Sequence, residues 1–253
     1  MSIEDTIKSK LNDIERKENF KIIYACESGS RAWGFNSPDS DYDVRFIYLR
    51  NTIDYLKINP LKDTYAGELN DVYDINGWDV KKMLGLLLKS NPIIFEWNMS
   101  PIVYKHTEEW DVIKDILDDY VSPRSLLYHY YSIAKGVYST HFKEDQVILK
   151  KYFYVVRPLL AGAYVLGEED IPPMAFEELA KEYLPLNLKY DLEHLLAIKK
   201  SSNEKVIGDR ISRIDEWIES ELERLYSKLG ELPKLELKSD KQLTELFYKL
   251  LNK

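Results

Sequence analysis

The stretch "ACESGSRAWGFNSPDSDYDVRFIY", Ala25 to Tyr48, places Asp39, Asp41 and Asp43 directly ahead of an apolar run. On a strand, side chains two apart share a face, so Asp41 and Asp43 project together, roughly 6.5 to 7 Å apart along the backbone. Like charges at that spacing are costly unless something positive sits between them, and hard divalent cations with oxygen ligands supply it. The spacing suits metal.

Three plainer readings compete. A solvated Asp-rich turn is the ordinary fate of such a pentapeptide, but Val44, Phe46 and Ile47 follow at once, which puts Asp41 and Asp43 at the mouth of a buried strand. A helix-loop-helix calcium loop requires glycine at its sixth position and glutamate at its twelfth. Val44 and Arg50 stand there. A serine nucleophile elbow requires glycine two residues to either side of the serine. Neither Ser28 nor Ser30 has that flanking.

The elements that must position these acids follow from periodicity. Ile3, Ile7, Leu11 and Ile14 mark a helix over about residues 3 to 17. "KIIYAC" reads as a strand ending at Ser28-Gly29, and a short helical turn fits Ser30 to Phe35. "SPDSD" carries turn chemistry, "YDVRFIYL" resumes as a strand, and "DVYDI" at 71 to 75 reads as a third, shorter one. Val80, Met83, Leu84, Leu87 and Leu88 then form a helical stripe that ends at "SNP". From about residue 107 onward the pattern is almost entirely helical. One helix carries Trp110, Ile113 and Leu117, another Leu126 to Tyr138, and a third runs from Val147 and Ile148 through Leu159, with Pro158 as an expected kink or break. A long helix over 204 to 229 and a last one over 239 to 252 complete the chain. The expected fold class is α+β: a small mixed-sheet module over 1–105 followed by a helical domain over 106–253.

Gly29-Ser30, the intervening residues Arg31 to Ser40, and Asp41-x-Asp43 resemble the signature of the nucleotidyltransferase superfamily that includes DNA polymerase beta. More narrowly, "ESGSRAWGFNSPDSDYDVRFIY", "DINGWDVKKMLGLLLKSNPIIFEW" and "KYFYVVRPLLA" resemble a predicted bacterial nucleotidyltransferase branch related to RNA repair-associated members, over about residues 20 to 165. The resemblance implies that Asp41 and Asp43 bind magnesium or manganese bridging a nucleoside triphosphate, with ATP the expected donor. Gly29 and Ser30, opening a short helix, would hold the terminal phosphate through backbone amides.

Such a site normally takes a third carboxylate as metal ligand and base. Asp74, on the expected third strand, is favoured over Asp79, whose place just ahead of a helix is explained by N-capping, and over Asp71, three residues from Asp74. Arg31 is a candidate phosphate contact, as are Lys151 and Arg157 of the helical domain. Lys82 reads as a solvated lysine. Glu96 matches a family position, yet a structural hydrogen bond explains it equally well. The histidines show no metal-ligand spacing, and His129 alone merits watching.

Composition bounds what the site serves. A net charge of −8 argues against a protein that coats nucleic acid through a broad basic surface. The single cysteine, Cys26, ends an apolar run and reads as a small buried hydrophobe in a reducing compartment. A polar N-terminal helix and the lack of any span-length apolar segment lead to the expectation of a cytoplasmic protein without membrane contact.

The function expected is transfer of a nucleoside monophosphate, AMP from ATP, to an acceptor hydroxyl or phosphate with release of pyrophosphate. The acceptor classes are an RNA end, a small molecule and a protein side chain. Tyrosines near lysines, as in "LLYHYY" and "KKYFYVV", favour RNA, with Tyr130 and Tyr152 as stacking candidates and Lys150 and Lys151 as phosphate contacts. The rival is a catalytically inactive nucleotide-binding sensor or antitoxin-like partner. Intact Asp41, Asp43 and Gly-Ser weigh against it.

Overall fold

The computed structural model describes residues 2–67, 72–201, 206–234 and 238–252. Its elements in chain order are α1 (Ile3–Glu18), β1 (Phe20–Ser28), α2 (Gly29–Ala32), β2 (Tyr42–Arg50), α3 (Thr52–Tyr55), β3 (Thr64–Ala66), β4 (Tyr73–Asp79), α4 (Val80–Leu87), α5 (Pro92–Asn98), β5 (Val103–His106) and α6 (Glu108–Lys114). There follow α7 (Pro123–His141), β6 (Gln146–Ile148), α8 (Lys151–Glu168), α9 (Phe176–Tyr183), α10 (Lys189–Ser201), β7 (Ile207–Asp209), α11 (Ser212–Lys228) and α12 (Lys241–Leu251). The fold class is α+β.

Described residues within 1–32, 41–120 and 236–253 form one compact unit, and those within 33–40 and 121–235 form a second. The sequence-based division at 105/106 places α6 and α12 elsewhere than this partition does. Trp110 of α6 stacks on Tyr24 of β1 with ring centroids 4.3 Å apart, and Phe247 of α12 packs edge-on against Tyr55. Both are aromatic contacts between residues far apart in sequence.

In the first unit the sheet order is β3-β4-β2-β1-β5. β1 pairs antiparallel with β2 and β5, β2 pairs parallel with β4, and β3 pairs antiparallel with β4. α1 begins at a capping box in which Ser2 Oγ accepts from the Asp5 amide and Asp5 accepts from the Ser2 amide. It ends where Asn19 turns left-handed at φ 53°. Its Ile7 and Leu11 bury against Phe20, Ile22, Val44, Phe46, Tyr48 and Ile75. Gly77 of β4 leaves room for the Phe46 ring, which a Cβ there would meet at 2.2 Å. On the other side of β1, Tyr24 donates to the Trp97 carbonyl at 2.7 Å. β1 is therefore covered on both faces, which is why its sequence is a nearly continuous apolar run.

The second unit packs α7, α8 and α11 around Leu126, Leu127, Tyr130, Phe153, Val156, Leu160, Ile214, Ile218 and Leu225, all fully buried. Gly162 of α8 lets Leu225 of α11 approach within 2.7 Å of where a Cβ would stand. Phe35, Phe153 and Phe176 form a three-ring cluster, and the Phe176 amide donates to the Trp33 carbonyl.

Local expectations needed correction in several places. Val147 and Ile148 lie in β6, paired with β7, and not in the helix that starts at Lys151. Their spacing to Tyr152 mimics a helical period, while their partners lie some sixty residues later in the sequence. Residues 207–209, read as part of the long helix, are β7, and α11 starts at Ser212. α8 runs through Pro158 without ending there. The short turn after Gly29 is helical only to Ala32. The third strand begins at Tyr73, and Asp71 lies outside the described residues. Among the described residues no helix is long and apolar enough to cross a membrane.

Candidate active site

The end of β1 and the starts of β2 and β4 bring the acids together. Ser28 pairs with Asp43 across β1 and β2, and Asp43 pairs with Asp74 across β2 and β4. Asp41 stands one residue ahead of β2 and not within it, because the ladder begins where the Tyr42 amide donates to the Val72 carbonyl at 2.9 Å. Asp79, at the far end of β4, pairs with Tyr48.

Gly29 turns the chain out of β1 with φ at 62°. A Cβ at this position would lie 2.2 Å from Asp43 Oδ2. Glycine is thus required twice, by the left-handed backbone and by the carboxylate beside it. Ser30 and Ala32 of α2 are buried. Arg31 Nε donates to the Asp41 carbonyl at 2.9 Å, and its guanidinium lies 3.8 Å above the Tyr42 ring. Arg31 therefore braces the segment that carries Asp41.

The cation at the centre is Arg45. Its Nη2 donates to Asp43 Oδ1 at 2.9 Å and to Asp74 Oδ2 at 2.7 Å, while Nη1 donates to the Asp74 carbonyl at 2.7 Å. Asn76 Nδ2 donates to Asp74 Oδ1. Glu27, fully buried, accepts the Asp43 amide on Oε1 at 2.8 Å and the Tyr104 hydroxyl on Oε2. Burial pushes the Glu27 carboxyl up to about 7, against the two hydrogen bonds it accepts. Burial likewise pushes Asp43 up to about 6, with the negative charges of Asp41 and Asp74 adding to the effect and Arg45 opposing it.

Glu27, Arg45 and Asn76 were not singled out from the sequence. For Arg45 and Asn76 the signal was present, since each lies two residues beyond an aspartate on a strand and so shares its face. For Glu27 it was a lone acid closing an otherwise buried run.

The remaining candidates have other surroundings. Asp79 caps α4, accepting from the Lys81 amide at 2.8 Å, and Tyr55 donates to its carboxylate at 3.1 Å. It is buried, and burial raises its pKa. Lys82 pairs with Asp63 at 3.3 Å, and Glu96 is half-buried on α5. In the second unit, Lys151 opens α8 with its ammonium 5.5 Å from the Tyr154 ring centroid. Arg157 is buried over the Trp33 ring at 4.6 Å, with Nε 3.4 Å from the Met174 carbonyl. His129 meets the Tyr130 ring edge-on. Tyr130 and Tyr152 are fully buried, and the Tyr152 hydroxyl accepts from the Ile211 amide and donates to Asp215. Stacking of RNA bases on these two rings is overturned, because helical spacing directs both into the core.

Among the described residues no three His, Cys, Asp or Glu side chains are gathered closely enough to enclose an ion. The donor chemistry nevertheless fits a hard divalent cation. Asp43 and Asp74 offer carboxylate oxygens to one point, and the Arg45 guanidinium stands there as the positive group they share.

Comparison with known proteins gives two matches. Residues 3–249 match the RNA repair pathway DNA polymerase beta family. An uncharacterized protein of Bacillus subtilis (strain 168), YcgL, is 38% identical over 232 residues, which cover 91% of this chain and 89% of that protein.

Proposed function

The chain belongs to the RNA repair pathway DNA polymerase beta family, and from that premise we propose that it is a metal-dependent nucleotidyltransferase whose reaction centre is built on the Asp43 and Asp74 pair, with Asp41, just ahead of β2, as the third acid. The observation that carries this reading is the in-register pair Asp43 and Asp74, held by one cation beside the glycine that ends β1.

In the proposed reaction an acceptor oxygen attacks the α-phosphorus of a nucleoside triphosphate, ATP by preference. The bond to the leaving pyrophosphate breaks and the acceptor's proton passes to a base, for which Asp74 is the candidate. Asp41, Asp43 and Asp74 would hold magnesium or manganese, which when bound neutralises the triphosphate and eases deprotonation of the acceptor. Gly29 leaves space for Asp43 to stand close to the turn. Ser30 and the amides beside it supply the phosphate contact, and Arg31 fixes Asp41. Glu27 holds the main chain of Asp43, so the carboxylate is aimed before substrate arrives. The acceptor is an RNA end, in keeping with the description of the family, and the protein works in the cytoplasm.

Release of labelled pyrophosphate from ATP, with RNA ends, small hydroxylated molecules and proteins offered as acceptors, tests the reading. We expect turnover that requires divalent metal and is abolished in Asp41→Asn and Asp43→Asn. ATP binding that needs no metal and is unchanged in both variants would instead favour the inactive nucleotide-binding protein.

A further inference from the structure

We infer that the solvent face of α7, together with Tyr226 of α11, is a stacking surface for single-stranded RNA. In a chain of net charge −8, α7 contains no aspartate or glutamate over its nineteen residues. Its outward stripe instead presents Tyr128, which is 62% exposed, and Lys135. Tyr226, 63% exposed, places its ring 5.4 Å from that of Tyr131. The Lys135 ammonium lies 5.4 Å from the Tyr131 ring centroid and 6.0 Å from that of Tyr226.

Between the aromatic residues the stripe is small. Ser132 and Gly136 are exposed, and a Cβ at Gly136 would meet nothing within 4 Å. Tyr128 to Lys135 spans about 10 Å of helix, the height of about three stacked bases at about 3.4 Å each. Aromatic faces interleaved with a lysine, on an acid-free helix, match the chemistry of exposed bases joined by phosphates. Of the acids on the neighbouring helix, Asp215 pairs with Arg210, Glu219 accepts from the Tyr138 hydroxyl and Glu221 pairs with Arg224. The inference rests on the RNA acceptor reading for its choice of ligand, and it replaces the buried Tyr130 and Tyr152 with rings that a base can reach.

The test is fluorescence anisotropy of a labelled short single-stranded RNA against the full chain, Tyr128→Ala, Tyr226→Ala, Tyr226→Trp and Lys135→Ala. Each tyrosine-to-alanine change should weaken binding about tenfold or more, while Tyr226→Trp, which keeps a π-face, retains it. With few phosphates contacted, the dependence on salt should be shallow. Unchanged RNA affinity in both alanine variants would overturn the inference, as would a wild-type protein that binds no single-stranded RNA. So would a double alanine variant that loses self-association in sedimentation while keeping RNA affinity, since the face would then be a contact between proteins. Metal-dependent ATP binding, measured in parallel, should be unaffected in all these variants. Its absence from the wild type would count against nucleotidyl transfer and leave the stacking surface standing.

Discussion

Asp43 and Asp74 face each other in the parallel pairing of β2 and β4, and a single guanidinium nitrogen of Arg45 serves both. Their side chains are 24% and 23% exposed and that of Arg45 is 19%, so all three charges are largely out of water. Removing the cation leaves two largely desolvated carboxylates repelling each other. Arg45→Gln should therefore lower stability in chelator by about 2 kcal/mol, less than the roughly 3–5 kcal/mol of a fully buried pair. A divalent ion that binds the same oxygens only in the folded protein should restore much of the loss. Urea denaturation with and without magnesium measures both, and a deficit identical in the two conditions would show that metal and Arg45 do not share these ligands.

The two acids of β4 can be separated by what each one holds. Asp74 accepts from Arg45 and Asn76 beside Asp43, whereas Asp79 caps α4 and meets Tyr55. Asp74→Asn should cut turnover by orders of magnitude with a small change in melting temperature. Asp79→Asn keeps a capping oxygen, so turnover should stay within a fewfold, and the cost should appear in stability, at about 1 kcal/mol. Steady-state kinetics beside thermal denaturation distinguish the two, and the reverse ranking would move the base to Asp79.

How much of this was legible beforehand follows from the range of each interaction. α1, β1, β2 and the α4 stripe are written in local periodicity, which a one-dimensional pattern preserves. β3 and β5 were not recognised, because three or four residues carry too few periods and their status depends on the strand beside them. The glycine, serine and aspartates of the site could be picked out by residue type and spacing. The adjacency of Asp43 and Asp74 depends on the register of a parallel pair whose members are separated by α3 and β3. Glu27 required still more, since its role lies in a hydrogen bond to the amide of a residue on the next strand.

Gly29 and Gly34 offer a matched comparison. Both have positive φ, 62° and 82°, but a Cβ at Gly29 would collide with Asp43 whereas at Gly34 it would meet nothing within 4 Å. Alanine at either position should cost about 1–2 kcal/mol in backbone strain. Only Gly29→Ala should also displace a carboxylate of the site, with a loss of about a hundredfold in kcat/KM. Kinetics of the two variants at matched folded fraction check this. Equal activity losses would mean that strain, and not the position of Asp43, is what matters.

Glu27 makes the last prediction, through its proton. Its carboxyl titrates at about 7 in the folded protein and at its ordinary 4.5 when unfolded, so between these values the native state holds a proton that the unfolded chain has released. Stability from this group is thus complete below about pH 4.5 and is lost as pH rises towards 7 and beyond, by at most about 3 kcal/mol. Asp43 acts in the same direction up to about 6. Glu27→Gln keeps an oxygen for the Asp43 amide and can donate to the Tyr104 oxygen, but cannot ionise. In chelator, the variant should lose less stability than the wild type between pH 5 and 8, and at pH 8 it should be the more stable of the two. Urea denaturation across that range tests the sign directly: parallel pH profiles for the two proteins would mean that Glu27 is ionised throughout in the native state.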